Sequence, residues 1–125
     1  MNLDDRLTCA FDRGLRDGFD ALESEDRELF RIQDFIIGYE MGGLSGYFYN
    51  RLPDIFGIRA AIVAMRQYGL LALADLLSEA TEVFAEYSEP NPASTWDEVL
   101  KKFDPNKSLD WIDQRIRNLR NFGIG

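Results

Sequence analysis

The sequence has 125 residues, 46% of them hydrophobic, and a formal net charge of −8. The length and the apolar fraction suit one compact helical domain over residues 1–125, and the negative charge opposes direct binding to nucleic acid or to an anionic membrane. Histidine is absent and Cys9 is the sole cysteine, so a disulfide framework, a zinc site and histidine-based catalysis are excluded. We expect no metal and no cofactor, and we expect Cys9 to be a small buried hydrophobe.

The N-terminus and the apolar runs indicate the compartment. Asp4 and Asp5 stand where a signal peptide carries positive charge. No apolar run approaches the roughly 18 charge-free residues that a membrane-spanning helix needs. We therefore expect a cytoplasmic protein that does not bind a membrane.

Helical patterns occupy almost the whole chain. Apolar residues recur at spacings of three and four, and no segment alternates as a strand does. We expect Ser24 to be the N-cap of the second helix and Thr95 to form a capping box with Glu98 at the start of the fifth. The predicted helices lie within residues 1–23, 25–41, 53–68, 70–87, 96–103 and 108–121. The pattern indicates an all-α fold of about five or six helices, mostly antiparallel.

The segment Gly42–Asn50, GGLSGYFYN, combines three glycines and three aromatic residues between two predicted helices. Gly42 and Gly43 are expected to end the first of these helices and to turn the chain sharply, because glycine adopts positive φ without steric cost. The three aromatic side chains should then point inward, and Asn50 should satisfy polar groups of the turn. We call this segment the elbow.

The elbow resembles the signature Asn-Gly-Gly-Phe-x-Gln-Tyr-Phe-x-Asn of the bacterial "DNA mimic protein nineteen" family. The residues that match are Gly42, Gly43, Tyr47, Phe48 and Asn50. The residues that depart from the signature, where no partner contact is carried over, are Met41, Leu44 and Gly46. Spaced Ala, Gly and Phe residues extend the likeness over about residues 25–90. The resemblance implies an all-helical fold and, for the member that names the family, imitation of the DNA charge surface to occupy a DNA-binding protein.

Charge is unevenly distributed along the second half of the chain. Seven acidic residues and no basic one lie from Asp75 to Glu98, whereas residues 101–125 carry six basic residues against three acidic ones. On the predicted helix four of the acids fall within about 60° of one another, opposite the apolar face, with neighbouring Cβ atoms about 5 to 6 Å apart. This spacing approaches that of successive DNA phosphates. We call these acids and the next one the acid stripe: Asp75, Glu79, Glu82, Glu86 and Glu89.

Catalytic functions find little support. Acids at i and i+4 on one helix share one solvated face, whereas acid–base catalysis by two carboxylates needs two different environments. The glycine-rich stretch lacks the Lys-Ser/Thr ending of a phosphate-binding loop, and Ser45 has no histidine to activate it. We expect a protein that is not an enzyme.

Two functions stay open. In the first, the acid stripe binds a basic protein, in its most specific form as a mimic of double-stranded DNA on the DNA-binding surface of a transcription regulator. Like charges at i, i+4 with no basic residue between them favour this function. In the second, the stripe serves solubility only, and a generic interaction or immunity-like domain binds its partner through the elbow. A homodimer fits either function. The candidate anchors, each expected more readily in the core, are Tyr49, Tyr87 and Trp96.

Overall fold

The computed structural model describes residues 1–88, 94–119 and 122, and the described part is helical without strands. Its helices are α1 (Leu3–Asp17), α2 (Ser24–Arg51), α3 (Ile55–Gln67), α4 (Leu71–Glu82), α5 (Trp96–Phe103) and α6 (Ser108–Arg117), with a 3₁₀ turn at Phe19–Ala21. The predicted all-α fold is confirmed. None of these helices is both long and apolar enough to cross a membrane.

Each of the first three helices packs on the next one in the chain, and α6 packs against α2 and α4. The helices turn apolar faces toward a shared core, as their sequence periodicity predicts. Its largest fully buried side chains include Phe35, Phe48, Phe84, Met65 and Ile112.

Helix α1 joins α2 through aromatic packing and charge. The rings of Phe11 and Phe30 stack with centroids 4.8 Å apart. Gly14 allows this close approach, because a Cβ at that position would overlap the Phe30 ring. The ion pairs between the helices are Arg6–Glu25 and Arg13–Asp26. Cys9 is exposed, so the expectation that it is buried was wrong; the buried face of α1 is formed by Leu7, Ala10 and Gly14.

Helix α2 consists of two halves that meet at Gly43. Gly43 has φ 66° and ψ −167°, and the residues on either side are helical. Asp34 in the first half and Arg51 in the second form a two-point ion pair that braces the kink, with Arg51 Nε donating to Asp34 Oδ2 at 2.7 Å. The Asp34 carboxylate raises the pKa of the Arg51 guanidinium.

Side-chain caps mark the starts of α5 and α3, whereas α2 starts without one. Thr95 caps α5 as predicted, its hydroxyl accepting from the Glu98 N–H at 3.2 Å. The expectation for Ser24 was wrong, because α2 begins at Ser24 and its N-cap is Glu23, which makes no side-chain capping bond. Helix α3 starts at Ile55 and not at residue 53, because the Asp54 carboxylate accepts from the N–H of residue 57 at 2.9 Å.

Helix α4 ends at Glu82, five residues before the predicted end. The Thr81 hydroxyl donates to the Leu77 carbonyl at 2.7 Å, a back-bond that bends helices. From Val83 onward the backbone bonds are of the tighter i to i−3 type, as in Phe84 N–H to Thr81 O at 3.0 Å. The chain thus leaves α4 as a series of turns.

Candidate partner-binding surfaces

The elbow is helical except at one residue. Gly43 has the positive φ that turns the chain, whereas Gly42 is helical, so the turn was correctly predicted for Gly43 and wrongly for Gly42. Asn50 also differs from the prediction. It lies within the second half of α2 and its side-chain amide donates to the Gly46 carbonyl at 3.0 Å, one helical turn earlier. The chain needs a single glycine to kink here, and the helix resumes at once.

Asp113 of α6 holds the elbow in place. Its Oδ1 accepts from the Leu44 N–H at 3.2 Å, which puts a carboxylate at the start of the second half of α2, where helix dipoles favour negative charge. The Asp113 backbone carbonyl accepts from the Tyr39 hydroxyl at 3.1 Å, and the Asp113 carboxylate forms an ion pair with Arg117 at 2.8 Å. Burial and the Asp113 charge raise the pKa of the Tyr39 phenol. Sequence analysis missed Asp113, since nothing local links it to a residue 69 positions away.

The aromatic residues of the elbow divide into buried and exposed ones. Tyr47 and Phe48 are buried, as predicted, and the Phe48 and Phe84 rings lie 4.8 Å apart. Burial raises the pKa of the Tyr47 phenol above its usual range, and the Asp34 carboxylate adds to this effect. Tyr49 is 61% exposed, so the prediction that it points inward was wrong. Successive helical residues diverge by about 100°, which turns Tyr49 away from the core that holds Phe48.

The accessible part of the elbow is small. The Tyr49 ring meets the half-buried Trp96 ring edge-on at 5.5 Å, and Trp96 Nε1 donates to Ser45 Oγ at 2.8 Å. Met41 is 84% exposed on the other side of the kink. Tyr87 is half-buried against Phe103. Of the candidate anchors, only Tyr49 presents most of its surface to solvent.

The acid stripe is exposed but shorter as a helix than predicted. Asp75, Glu79 and Glu82 lie in α4 and are exposed, and Glu86 is exposed in the turns that follow. Glu89 lies outside the described residues. At 1.5 Å rise per residue, the helical part from Asp75 to Glu82 is about 10 Å long. The opposite, buried face of α4 holds Leu73, Ala74, Leu76, Leu77 and Ala80.

Two basic side chains from other helices reach the acid stripe. Arg66 of α3 pairs with Asp75 at 2.7 Å, and Arg115 of α6 lies 3.6 Å from Glu79. The absence of Lys and Arg from α4 therefore does not leave these two acids unpaired in the fold. Because α6 packs beside α4, charges that are far apart in sequence become neighbours at this point.

Glu82 and Glu86 are the other two residues of the stripe that the structure describes. Within the described residues no Lys or Arg nitrogen lies within 4.0 Å of the Glu82 or Glu86 carboxylate. Both acids line a surface cleft of about 450 Å³ together with Lys102 and Phe103 of α5. The cleft thus combines two carboxylates with an aromatic ring and one lysine that lies beyond ion-pair distance of both.

The chemistry that these surfaces offer is charge and apolar contact. In the part of the chain that the structure describes, no three Asp, Glu or Cys side chains converge as a metal site would require. The carboxylates of the stripe are solvated groups at a helix surface, where they attract cations and basic side chains.

Comparison with known proteins places the chain in a family. Searches of curated proteins and of solved structures gave no match. The sequence model of the family described as "DMP19-like protein" matches residues 20–122. The match spans α2 to α6 and includes both the elbow and the acid stripe, so it extends well beyond the predicted region of likeness. The chain belongs to the DMP19-like protein family.

Proposed function

We propose that this protein binds a basic protein through the acid stripe and does so as a mimic of the charge surface of double-stranded DNA. The partner is a DNA-binding protein such as a transcription regulator, and the stripe takes the place of the phosphates on its basic surface. The observation that carries the proposal is the exposed row of carboxylates along α4 and the turns after it, in a chain with net charge −8. Membership in a family whose naming protein acts as a DNA mimic adds support.

The ion pairs at Asp75 and Glu79 are compatible with this function. The side chains of both acids remain exposed, 67% for Asp75 and 47% for Glu79. Exposed pairs of this kind contribute about 0 to 1 kcal/mol, so the arginines of a partner can replace Arg66 and Arg115 at little cost. Glu82 and Glu86 need no such exchange.

Binding of this type depends on salt. Salt screens the attraction between a stripe carboxylate and a partner's Lys or Arg, with a Debye length of about 8 Å at physiological ionic strength. Affinity should therefore fall as salt rises. Orientation would come from contacts beside the stripe, for which Phe103 in the adjoining cleft is well placed.

The experiment is affinity capture from a lysate of the source organism at low and at high salt. The test variant carries Gln at Glu79, Glu82 and Glu86 and should fold as the parent does, because all three side chains are exposed. The matched control changes three exposed acids elsewhere that form no ion pair within the described residues: Asp12→Asn, Asp20→Asn and Glu40→Gln. Both variants change the net charge by the same amount.

The proposal expects a DNA-binding protein that the parent and the control retain, that salt releases and that the stripe variant fails to retain. Equal loss from both variants would mean that net charge alone attracts the partner. Equal retention by both at high salt would favour the alternative, binding through the exposed part of the elbow, and Tyr49→Ser should then abolish capture.

A further inference from the structure

A groove of about 570 Å³ lies between the first half of α2 and α3, and no residue of the acid stripe lines it. Its apolar ridge consists of Phe56, Ala60 and Val63, which stand at i, i+4 and i+7 on α3 and therefore share one face. Phe56 is 80% exposed and Val63 is 64% exposed. Large apolar side chains left in solvent at this spacing are typical of surfaces that receive a helix.

Three arginines line the same groove: Arg27 and Arg31 from α2 and Arg59 from α3. Within the described residues no carboxylate lies within 4.0 Å of their side-chain nitrogens. The other described arginines all form ion pairs, namely Arg6, Arg13, Arg16, Arg51, Arg66, Arg115 and Arg117. The arginines that form no ion pair within the described residues thus meet at one apolar groove.

Two of these guanidinium groups are held in place by neutral contacts. Arg31 lies over the Phe19 ring at 4.7 Å and Arg27 over the same ring at 5.7 Å. Arg27 Nη2 also donates to the Asp20 carbonyl at 2.6 Å. A ring and a carbonyl orient the groups without neutralising them, and the remaining N–H donors stay available. Pre-positioned side chains lose less freedom when a ligand binds.

We propose that this groove docks an acidic amphipathic helix from a partner protein. The apolar face of that helix packs on Phe56 and Val63, and its carboxylates accept hydrogen bonds from the flanking arginines. Arginine pairs with carboxylates through two parallel N–H···O bonds, which fixes the register of the bound helix. A nucleic acid fits less well, because the chain carries a net charge of −8 and Glu28 also lines the groove. The surface of this partner is acidic, whereas the partner proposed for the acid stripe is basic.

The test uses the full chain and a fluorescein-labelled synthetic helix of about four turns, with Leu at i, i+3, i+4 and i+7 and Glu on the flanking positions. Fluorescence anisotropy gives the affinity of this peptide, of the same peptide with Gln for Glu, and of a labelled oligonucleotide. The protein variant Arg27→Gln/Arg59→Gln changes two exposed side chains and leaves Arg31, which also contacts α3, intact. The control Arg16→Gln/Lys101→Gln removes the same charge outside the groove.

The acidic peptide should bind the parent and the control equally, and the groove variant should bind it at least about tenfold more weakly. Val63→Asp should weaken binding to a similar degree, with far-ultraviolet circular dichroism unchanged. The Glu79/Glu82/Glu86 Gln variant should bind the peptide as the parent does, which separates this result from the outcome at the acid stripe. Absence of binding, equal binding of the Gln peptide, equal loss in the control, or tighter binding of the oligonucleotide would each overturn the proposal.

Discussion

The two adjacent glycines of the elbow should respond to alanine in opposite directions. Gly43 has φ 66° and ψ −167°, a backbone region open almost only to glycine, so Gly43→Ala costs about 1 to 3 kcal/mol in backbone strain. The new Cβ would also lie 3.3 Å from Asp113 Oδ1. That oxygen caps the Leu44 N–H, and a weakened cap costs about 1 kcal/mol more. We expect a total loss of about 2 to 4 kcal/mol in the free energy of unfolding.

Gly42→Ala is the matched control. Gly42 is helical, it is exposed, and a Cβ there meets nothing within 4 Å. Alanine at a helical position is favoured over glycine by about 0.5 to 1 kcal/mol, so this variant should be slightly more stable than the parent. Urea unfolding followed by circular dichroism at the helix band measures both changes. Equal effects of the two substitutions would refute the kink at Gly43 as the structural role of the pair.

Four further substitutions test the core, the buried phenol and the charge of the stripe. Phe48→Ala should lower the free energy of unfolding by about 3 to 5 kcal/mol, whereas Tyr49→Ala should change it by less than about 1 kcal/mol, because only the Phe48 ring is fully buried; thermal unfolding tests this difference. Burial raises the pKa of the Tyr47 phenol in the folded state, so the fold favours the neutral phenol. The stability that the neutral phenol contributes is complete below the unfolded pKa of about 10 and is lost as pH rises toward the folded pKa. Tyr47→Phe should therefore reduce the loss of stability between about pH 9 and 11 in urea unfolding. Arg115→Gln removes the counter-ion of Glu79 and should tighten binding of a lysine-rich peptide about two- to fivefold at low salt, measured by calorimetry, with unfolding unchanged.

Local signals in the sequence were sufficient to predict the all-α fold and the approximate positions of most helices. The capping hydroxyl of Thr95 marked the start of α5, and the apolar spacing of residues 70–87 placed Leu73, Leu77 and Phe84 on the buried side. These features depend on residues within a few positions of one another, and such short-range rules are read directly from a sequence. The paired glycines of the elbow predicted a turn, and Gly43 has the positive φ that glycine permits.

The end of α4 shows where local patterns fail. The apolar spacing continues to Tyr87, so the helix was predicted to continue as well. Phe84 is buried although its backbone is turned, because its ring packs between those of Phe48 and Trp96. A side chain can therefore keep the helical pattern of burial after the helix has ended, and periodicity alone does not register the change.

Contacts between distant segments could not be predicted from local patterns in the sequence. Asp113 caps the kink from 69 residues away, and Arg115 approaches Glu79 only because α6 packs on α4. An acidic or basic side chain on an exposed helix face looks the same in sequence whether it is paired or free. The distinction between the paired and the free parts of the acid stripe therefore came only from the fold.

We expect the pairing of arginines to decide which charged surfaces of this protein attract a partner. Exposed ion pairs add little to stability, so their main effect is to cancel the local field. Arginines pair with Asp75 and Glu79, whereas Glu82 and Glu86 have no ion pair within the described residues. The α2–α3 groove holds three arginines that form no ion pair in the described part of the chain. Since charges act over about 8 Å at physiological salt, each region attracts partners largely by itself. A basic protein should therefore approach the Glu86 end of the stripe first, and an acidic helix can reach the groove despite the overall charge of −8.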